Sequence, residues 1–302
     1  MLFTAPLCGA GKERGRCAVY SLQCASGEYI RRPMIIIAAH DAGRNKNLAS
    51  APAMPYTGRR RRGGHAMSEA FVRTEHVLGS EAMAKLAAAR VAIFGLGGVG
   101  GYVLEALARS GVGQLDLIDN DRICLSNLNR QILATRDTVG MDKVDAAAAR
   151  VKSINPACEV RTYKTFYLPE TKEQFDFTQF DYVVDAIDTV AGKLALAEQA
   201  RAAGTPIISA LGTGNKRDPS LLRICDLFET ENDALSRVMR RECRRRGIEQ
   251  LKVVFSPEKP LCLGPEITEP DSRRRSIPGS TAFVPPAAGL LIAAEVVKAL
   301  IS

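Results

Sequence analysis

Four glycines in six residues, Gly95, Gly97, Gly98 and Gly100, directly after the apolar run Val91-Ala-Ile-Phe94, constrain this chain more than any other feature. The four apolar residues read as a buried strand. Gly95, Gly97 and Gly100 have the G-x-G-x-x-G spacing, with Gly98 and Gly101 in addition. Such a loop lets backbone approach a phosphate closely and aims a helix N-terminus at it. A tight strand-to-helix turn also needs glycine, but not this many. A second apolar run ends in Asp119, 19 residues beyond Gly100, where an acid meets a ribose hydroxyl in nucleotide-binding α/β units. Strand, loop, helix, strand and acid in that order point to a nucleotide site. The pattern alone serves NAD, FAD and ATP equally.

From residue 91 onward the strand and helix periods alternate. The pattern predicts helices over 99–110, 142–154 and 191–203, and strands over 114–119, 159–165, 181–186 and 206–210. This is an α/β protein: a Rossmann-like, doubly wound, mostly parallel sheet covered on both faces. Beyond Leu211 the rhythm changes to a loop over 212–219, an antiparallel strand over 221–227, a helix over 234–246 and a strand over 251–255. A long crossover with five prolines follows over 256–281, and Pro285-Pro286 opens a final apolar helix over 287–301. The C-terminal third therefore adds antiparallel structure to the sheet. Residues 68–89 form a helical lead-in with Val77, Leu78, Met83 and Leu86 on its apolar side. Arg73 lies near its start and, taken alone, reads as a solubility device.

Charge divides the chain in two. Residues 1–66 hold eleven Lys or Arg against three acids, a surplus of eight that equals the whole formal net charge of +8. This segment is expected to be a basic, disordered extension, with an organelle transit peptide and a true start at Met67 as alternatives. Residues 67–302 are then a single nucleotide-binding domain with balanced charge, so a polyanion partner must be argued from local clusters. Those clusters are Arg240, Arg241, Arg244, Arg245 and Arg246 on one helix, and Arg273, Arg274 and Arg275 in the crossover. No C-x-x-C pair occurs among the eight cysteines, and the only histidines are His40, His65 and His76. Structural zinc and histidine acid–base chemistry are thereby disfavoured, and reduced thiols in a cytoplasm are expected. No apolar run approaches the ~18 residues of a membrane helix, so no membrane partner is expected.

Strand ends in an open parallel sheet send their loops into one crevice. Asp119, the group Asn127, Asn129, Arg130 and Gln131, and Asp188 each follow such a strand. Arg130 and Lys143 offer fixed positive charge for phosphates. Asp188, or Asp121, offers a hard oxygen for Mg²⁺, although Asp188 serves equally to cap the next helix. This many phosphate-directed cations, with a spare acid, favour ATP over NAD.

The series Gly95-x-Gly-Gly-x-Gly100, Asp119-x-Asp121, Ser126-Asn-Leu-Asn-Arg130-Gln131, Lys143 and Asp185-Ala-Ile-Asp188 resembles the adenylating domain of ubiquitin-activating enzymes and of the thiamine and molybdopterin adenylyltransferases. Within that superfamily the chain is most similar to the tRNA threonylcarbamoyladenosine dehydratases. Arg73-Thr-Glu…Leu78-Gly79, Asn129-Arg-Gln-Ile132, Leu251-Lys-Val-Val-Phe-Ser256 and the ending Pro278-Gly-Ser-Thr-Ala-Phe-Val-Pro285…Ala288-Gly-Leu-Leu-Ile292 carry that similarity, which spans 68–302. The resemblance implies ATP phosphates on Gly95, Gly97, Gly98 and Gly100, and ribose on Asp119 beside Asp121. It implies phosphate contacts at Asn127, Asn129, Arg130 and Lys143, a further nucleotide contact at Gln131, and Mg²⁺ on Asp188. Arg73 would reach across a homodimer into the partner's site, joining Arg130, Lys143 and Asp188 as a catalytic group. The implied reaction is ATP-dependent cyclisation of N6-threonylcarbamoyladenosine at position 37 of tRNA, through an acyl-adenylate. The arginine clusters would then face tRNA, and a sulfur-donor protein is a further partner to test. An adenylyltransferase for a ubiquitin-like or sulfur-carrier protein would share every ATP residue. Such enzymes often carry paired C-x-x-C motifs and a loop cysteine; Cys243 and Cys262 lie in that general region but read first as ordinary cysteines. A dinucleotide oxidoreductase is the remaining rival.

Overall fold

The computed structural model describes residues 69–264 and 278–302. The basic extension over 1–66 and the arginines at 273–275 therefore lie outside the described residues. The helical lead-in is broken at Gly79 (φ +87°) into α1, Val72–Leu78, and α2, Ser80–Ala88. Then follow β1 Arg90–Phe94, α3 Gly100–Arg109, β2 Gln114–Ile118, α4 Lys143–Ile154, β3 Glu159–Tyr163, β4 Tyr182–Asp185, α5 Val190–Ala203 and β5 Ile207–Ala210. The C-terminal part contains β6 Arg223–Asp226, α6 Ala234–Arg245, β7 Lys252–Phe255 and α7 Val284–Ile301.

Seven strands form one sheet in the order β3-β2-β1-β4-β5-β7-β6. Six run parallel, and β6 alone is antiparallel, pairing with β7 from Arg223↔Phe255 to Asp226↔Lys252. The expected antiparallel addition is thus a single edge strand. β1 is buried from Val91 to Phe94 and β4 throughout, as strands covered on both faces must be.

Strand order reverses between β1 and β4. That is the switch point where open α/β sheets form a crevice beyond the carboxyl ends of their strands. The register brings Phe94 level with Ile118 of β2 and with Asp185 of β4, so three loops leave the sheet at one height.

The last helix corrects one reading of the sequence. Val284–Ile301 is 18 residues with mean hydropathy 1.7, long and apolar enough to cross a membrane by length and composition. Half of it is buried inside the protein, and Val284, Ala288, Ile292 and Val296 are fully covered at helical spacing. Burying a Val or Ile side chain contributes about 1.5–3 kcal/mol, which accounts for the position of the helix against α3 and the sheet. The run is apolar because it is core.

Candidate active site

The glycine loop is built by two close backbone approaches. Gly95 adopts φ +90°, and a Cβ there would lie 2.6 Å from the Ala186 carbonyl oxygen in the loop after β4. At Gly100, the first residue of α3, a Cβ would lie 1.8 Å from the Gly95 carbonyl oxygen. Neither position tolerates a side chain, which explains two of the four glycines by sterics alone. Gly97 and Gly98 are different. The nearest atom to a Cβ on Gly97 is Gln131 Nε2 at 3.9 Å, so Gly97 faces open space, whereas Gly98 is bordered by the side chains of Pro285 and Arg130. An uncrowded glycine at a helix N-terminus is a cradle that a phosphate fits.

Asp119 closes one side of this cradle. Its Oδ2 accepts from the Leu96 amide at 2.7 Å and its Oδ1 from the Asp121 amide at 2.8 Å. Burial raises the Asp119 pKa, opposed by the nearby Lys143 charge and the two amides. Lys143, at the first turn of α4, is itself buried; its Nζ donates to Asp121 Oδ2 at 2.6 Å and lies 3.7 Å from Asp119 Oδ2. A buried ammonium between two carboxylates is held in one place, with the more exposed Asp121 facing solvent.

The polar string after β2 forms the second side. Asn127 is buried, and its Oδ1 accepts from the Cys124 amide at 3.2 Å, so the side chain fixes the turn Leu125–Asn127. The Arg130 side chain runs beside Gly98, its Cγ 3.4 Å from where a Cβ would stand. Its Nη1 donates to the Ser126 carbonyl at 3.0 Å and to Asn129 Oδ1 at 2.9 Å. Asn129 Nδ2 donates in turn to the Ser280 carbonyl at 3.1 Å. Gln131 is buried, and its Oε1 has no hydrogen-bond partner. An orphaned buried acceptor normally costs about 1–3 kcal/mol, which a water or a hydroxyl or amino group of a ligand would relieve.

The loop after β4 makes the third side. Asp185 is buried under it, bound by Lys193 Nζ through both oxygens at 3.0 Å and by Ser209 Oγ at 2.5 Å. Lys193 also donates to the Ala210 carbonyl at 2.7 Å, locking β4, β5 and α5 together at the carboxyl edge. Asp188, three residues on, is exposed at the start of α5. Among the described residues no three metal-ligating side chains cluster. Asp188 is the exposed carboxylate on this loop, and a single carboxylate with phosphate oxygens and water is a donor set that Mg²⁺ accepts.

Three of the expected residues adjoin the glycine loop, Asp119 through Leu96, Lys143 through Asp119 and Arg130 at Gly98, while the loop that carries Asp188 approaches Gly95 through Ala186 and Ile187. Arg73 lies exposed on α1. Two features escaped sequence reasoning. Lys193, a charged residue within an apolar helix pattern, is the partner of Asp185. Pro285 forms a wall of the cradle, 3.2 Å from where a Cβ on Gly98 would stand.

The cysteines and arginines are now sorted by contact. Cys243 is fully buried, and burial pushes its thiol up to about 11, so it is core; Cys262 is exposed. Arg240 donates to the Thr230 carbonyl at 2.7 Å and to its hydroxyl, tying α6 to the preceding turn. Arg246 binds Glu242 at 2.8 Å and Glu198 at 3.1 Å. Arg241 and Arg245 share Glu242, while Arg244 lies over the Phe228 ring, 5.1 Å from its centroid.

The model of the ThiF family matches residues 72–302. The tRNA threonylcarbamoyladenosine dehydratase of Bacillus subtilis (strain 168) is 40% identical over 243 residues, covering 78% of this chain and 96% of that protein. The crystal structure of E. coli tRNA N6-threonylcarbamoyladenosine dehydratase in complex with ATP superposes with TM-score 0.70 at 31% identity, over 78% of this chain and 97% of that one. Its complex with AMP gives TM-score 0.68 at the same identity and coverage.

Proposed function

The chain belongs to the ThiF family, and on that premise we propose that it is an ATP-dependent tRNA threonylcarbamoyladenosine dehydratase. The observation that carries this reading is the convergence of Asp119, Lys143, Arg130 and the Ala186–Asp188 loop on one open glycine cradle. The threonyl carboxylate of the modified adenosine attacks the α-phosphorus of ATP and pyrophosphate leaves. Intramolecular attack on the acyl-adenylate then closes a ring and expels AMP, so one carboxylate oxygen departs with AMP and the base has lost water.

No histidine is needed for this, because the work is positioning and charge neutralisation. The Gly97 and Gly98 backbone receives the phosphates, with the orphaned Gln131 amide beside Gly97. Asp119 has carboxylate capacity left for ribose hydroxyls. Arg130 needs only to leave Ser126 and Asn129 to reach the phosphate chain; Lys143 supplies a second cation at fixed height. Mg²⁺ held by Asp188 would supply further charge neutralisation on the phosphates. Arg73 acts across a homodimer in the partner's site, which gives an exposed helix arginine a purpose. The residues over 67–302 act as one adenylating domain. The enzyme works in the cytoplasm, in keeping with five free thiols among the described residues.

Pyrophosphate release in the presence of ATP tests the reading. Stimulation by tRNA carrying threonylcarbamoyladenosine is expected. Stimulation instead by a carrier protein ending in Gly-Gly would transfer the chain to the adenylyltransferase class, and preference for NAD would remove it from both.

A further inference from the structure

We propose that the exposed face of α6 is an RNA track that leads away from the catalytic edge and ends in a slot for one unpaired base. This rests on the tRNA substrate assigned above and says where that substrate is gripped.

Arg237, Arg241, Arg244 and Arg245 recur at i, i+4, i+7 and i+8, the spacing of one helix face. The opposite face, Ser236, Met239 and Cys243, is buried. All four arginines are exposed, and Arg237 has no ion pair among the described residues. Arg240 and Arg246 are bound to neighbouring structure and stand outside the track. The single acid between the track residues, Glu242, is shared by Arg241, Arg245 and Arg246, which leaves the face with surplus positive charge.

The topology sets its direction. Asp233, the N-cap of α6, touches Gly212, which follows β5 at the carboxyl edge where the glycine cradle lies. At its other end α6 reaches the opposite edge: Arg244 lies over Phe228, which closely follows Asp226, and Asp226 of antiparallel β6 pairs with Lys252 at the start of β7. Twelve residues span about 18 Å. The far end of the track therefore cannot touch the nucleotide that reacts; it holds the substrate elsewhere.

At that far end lies a shallow, open depression of about 390 Å³ lined by Phe228, Arg244, Gly247, Ile248 and Glu249. The Arg244 guanidinium lies over the Phe228 ring. Aromatic rings and guanidinium planes are the surfaces on which unpaired bases stack. The Glu249 carboxylate can accept from the amino or ring N–H group of that base. An acidic peptide would use the arginines but not the stacking shelf.

The test measures tRNA affinity against salt, with steady-state pyrophosphate release on the same proteins. Arg237→Gln, Arg241→Gln and Arg245→Gln should each lower the log–log salt slope by about one unit and raise KM for tRNA, with kcat and ATP affinity unchanged. Phe228→Leu should weaken tRNA binding about tenfold with the slope unchanged, since stacking releases no counterions. A wild-type enzyme that tRNA does not stimulate would overturn the function assigned above. Stimulated wild type, with slope and affinity unaltered in every variant, would overturn this surface alone.

Discussion

The Asp119 carboxylate accepts from the Leu96 amide at 2.7 Å, joining the end of β2 to the glycine loop that follows β1. One oxygen thereby shapes the glycine loop, and in the proposed function the same carboxylate meets the ribose. The two halves of a nucleotide site are coupled through a single side chain, and several outcomes depend on that coupling.

The glycines separate by what surrounds them. Gly100→Ala would drive a Cβ into the Gly95 carbonyl, and the loop must open. Thermal denaturation should show a loss of more than about 2 kcal/mol. Gly97→Ala meets only the flexible end of Gln131, so the fold should keep its Tm within a few degrees. The added methyl fills the cradle instead, and ATP affinity should fall at least about tenfold by calorimetry. Equal destabilisation in the two variants would refute the distinction.

Asp119 gives an opposed pair of pH effects. Its folded pKa is raised by burial, so the folded state binds the proton more readily than the unfolded chain does. Its contribution to stability is fully present below the unfolded pKa and is lost as pH rises through the folded value. ATP binding runs the other way, because ribose hydroxyls need the ionised carboxylate. Affinity should begin to fall on acidification at a pH above the usual aspartate range. Asp119→Asn should remove that acid limb from a binding-against-pH profile; an unmoved limb would assign it to another group.

Lys193 and Asp185 form a fully buried ion pair beneath the catalytic loop. Removing one member leaves an uncompensated charge, and Lys193→Met should cost about 3–5 kcal/mol in urea denaturation. The double variant Lys193→Met, Asp185→Leu should cost less than that single change. A double variant that is worse than either single one would mean that Ser209 and Ala210 depend on the pair more than the geometry implies.

Much of this site was legible in the sequence, because glycine spacing, strand length and the position of an acid after a strand are local signals. The mostly parallel sheet and antiparallel structure in the C-terminal third followed from them; the strand order and the edge position of β6 came only with the structure. Local signals failed where a residue's partner lies far along the chain. Lys193 binding Asp185 and Arg240 binding Thr230 are contacts that no spacing announces. The six arginines near the end of α6 looked alike in sequence, and only their contacts sort them. The apolar run of α7 reads from sequence as core or dimer interface, and its packing against α3 decides for core.

Arg73 should act in trans. Mixing Arg73→Ala with Asp188→Asn, each inactive alone, should restore activity to the hybrid dimers, since one of the two sites is then complete. Titrating one variant against the other should give about a quarter of wild-type activity at equal amounts, half the dimers being hybrid with one intact site each. No recovery in mixtures shown to exchange subunits would place Arg73 outside the partner's site.

The most direct measurement follows an oxygen atom. With tRNA whose threonylcarbamoyladenosine carboxylate carries heavy oxygen, the account predicts one labelled AMP and one unlabelled pyrophosphate for each ring closed, read by mass spectrometry. Label in inorganic phosphate with release of ADP, or ring closure that leaves AMP unlabelled, would contradict adenylation at this site.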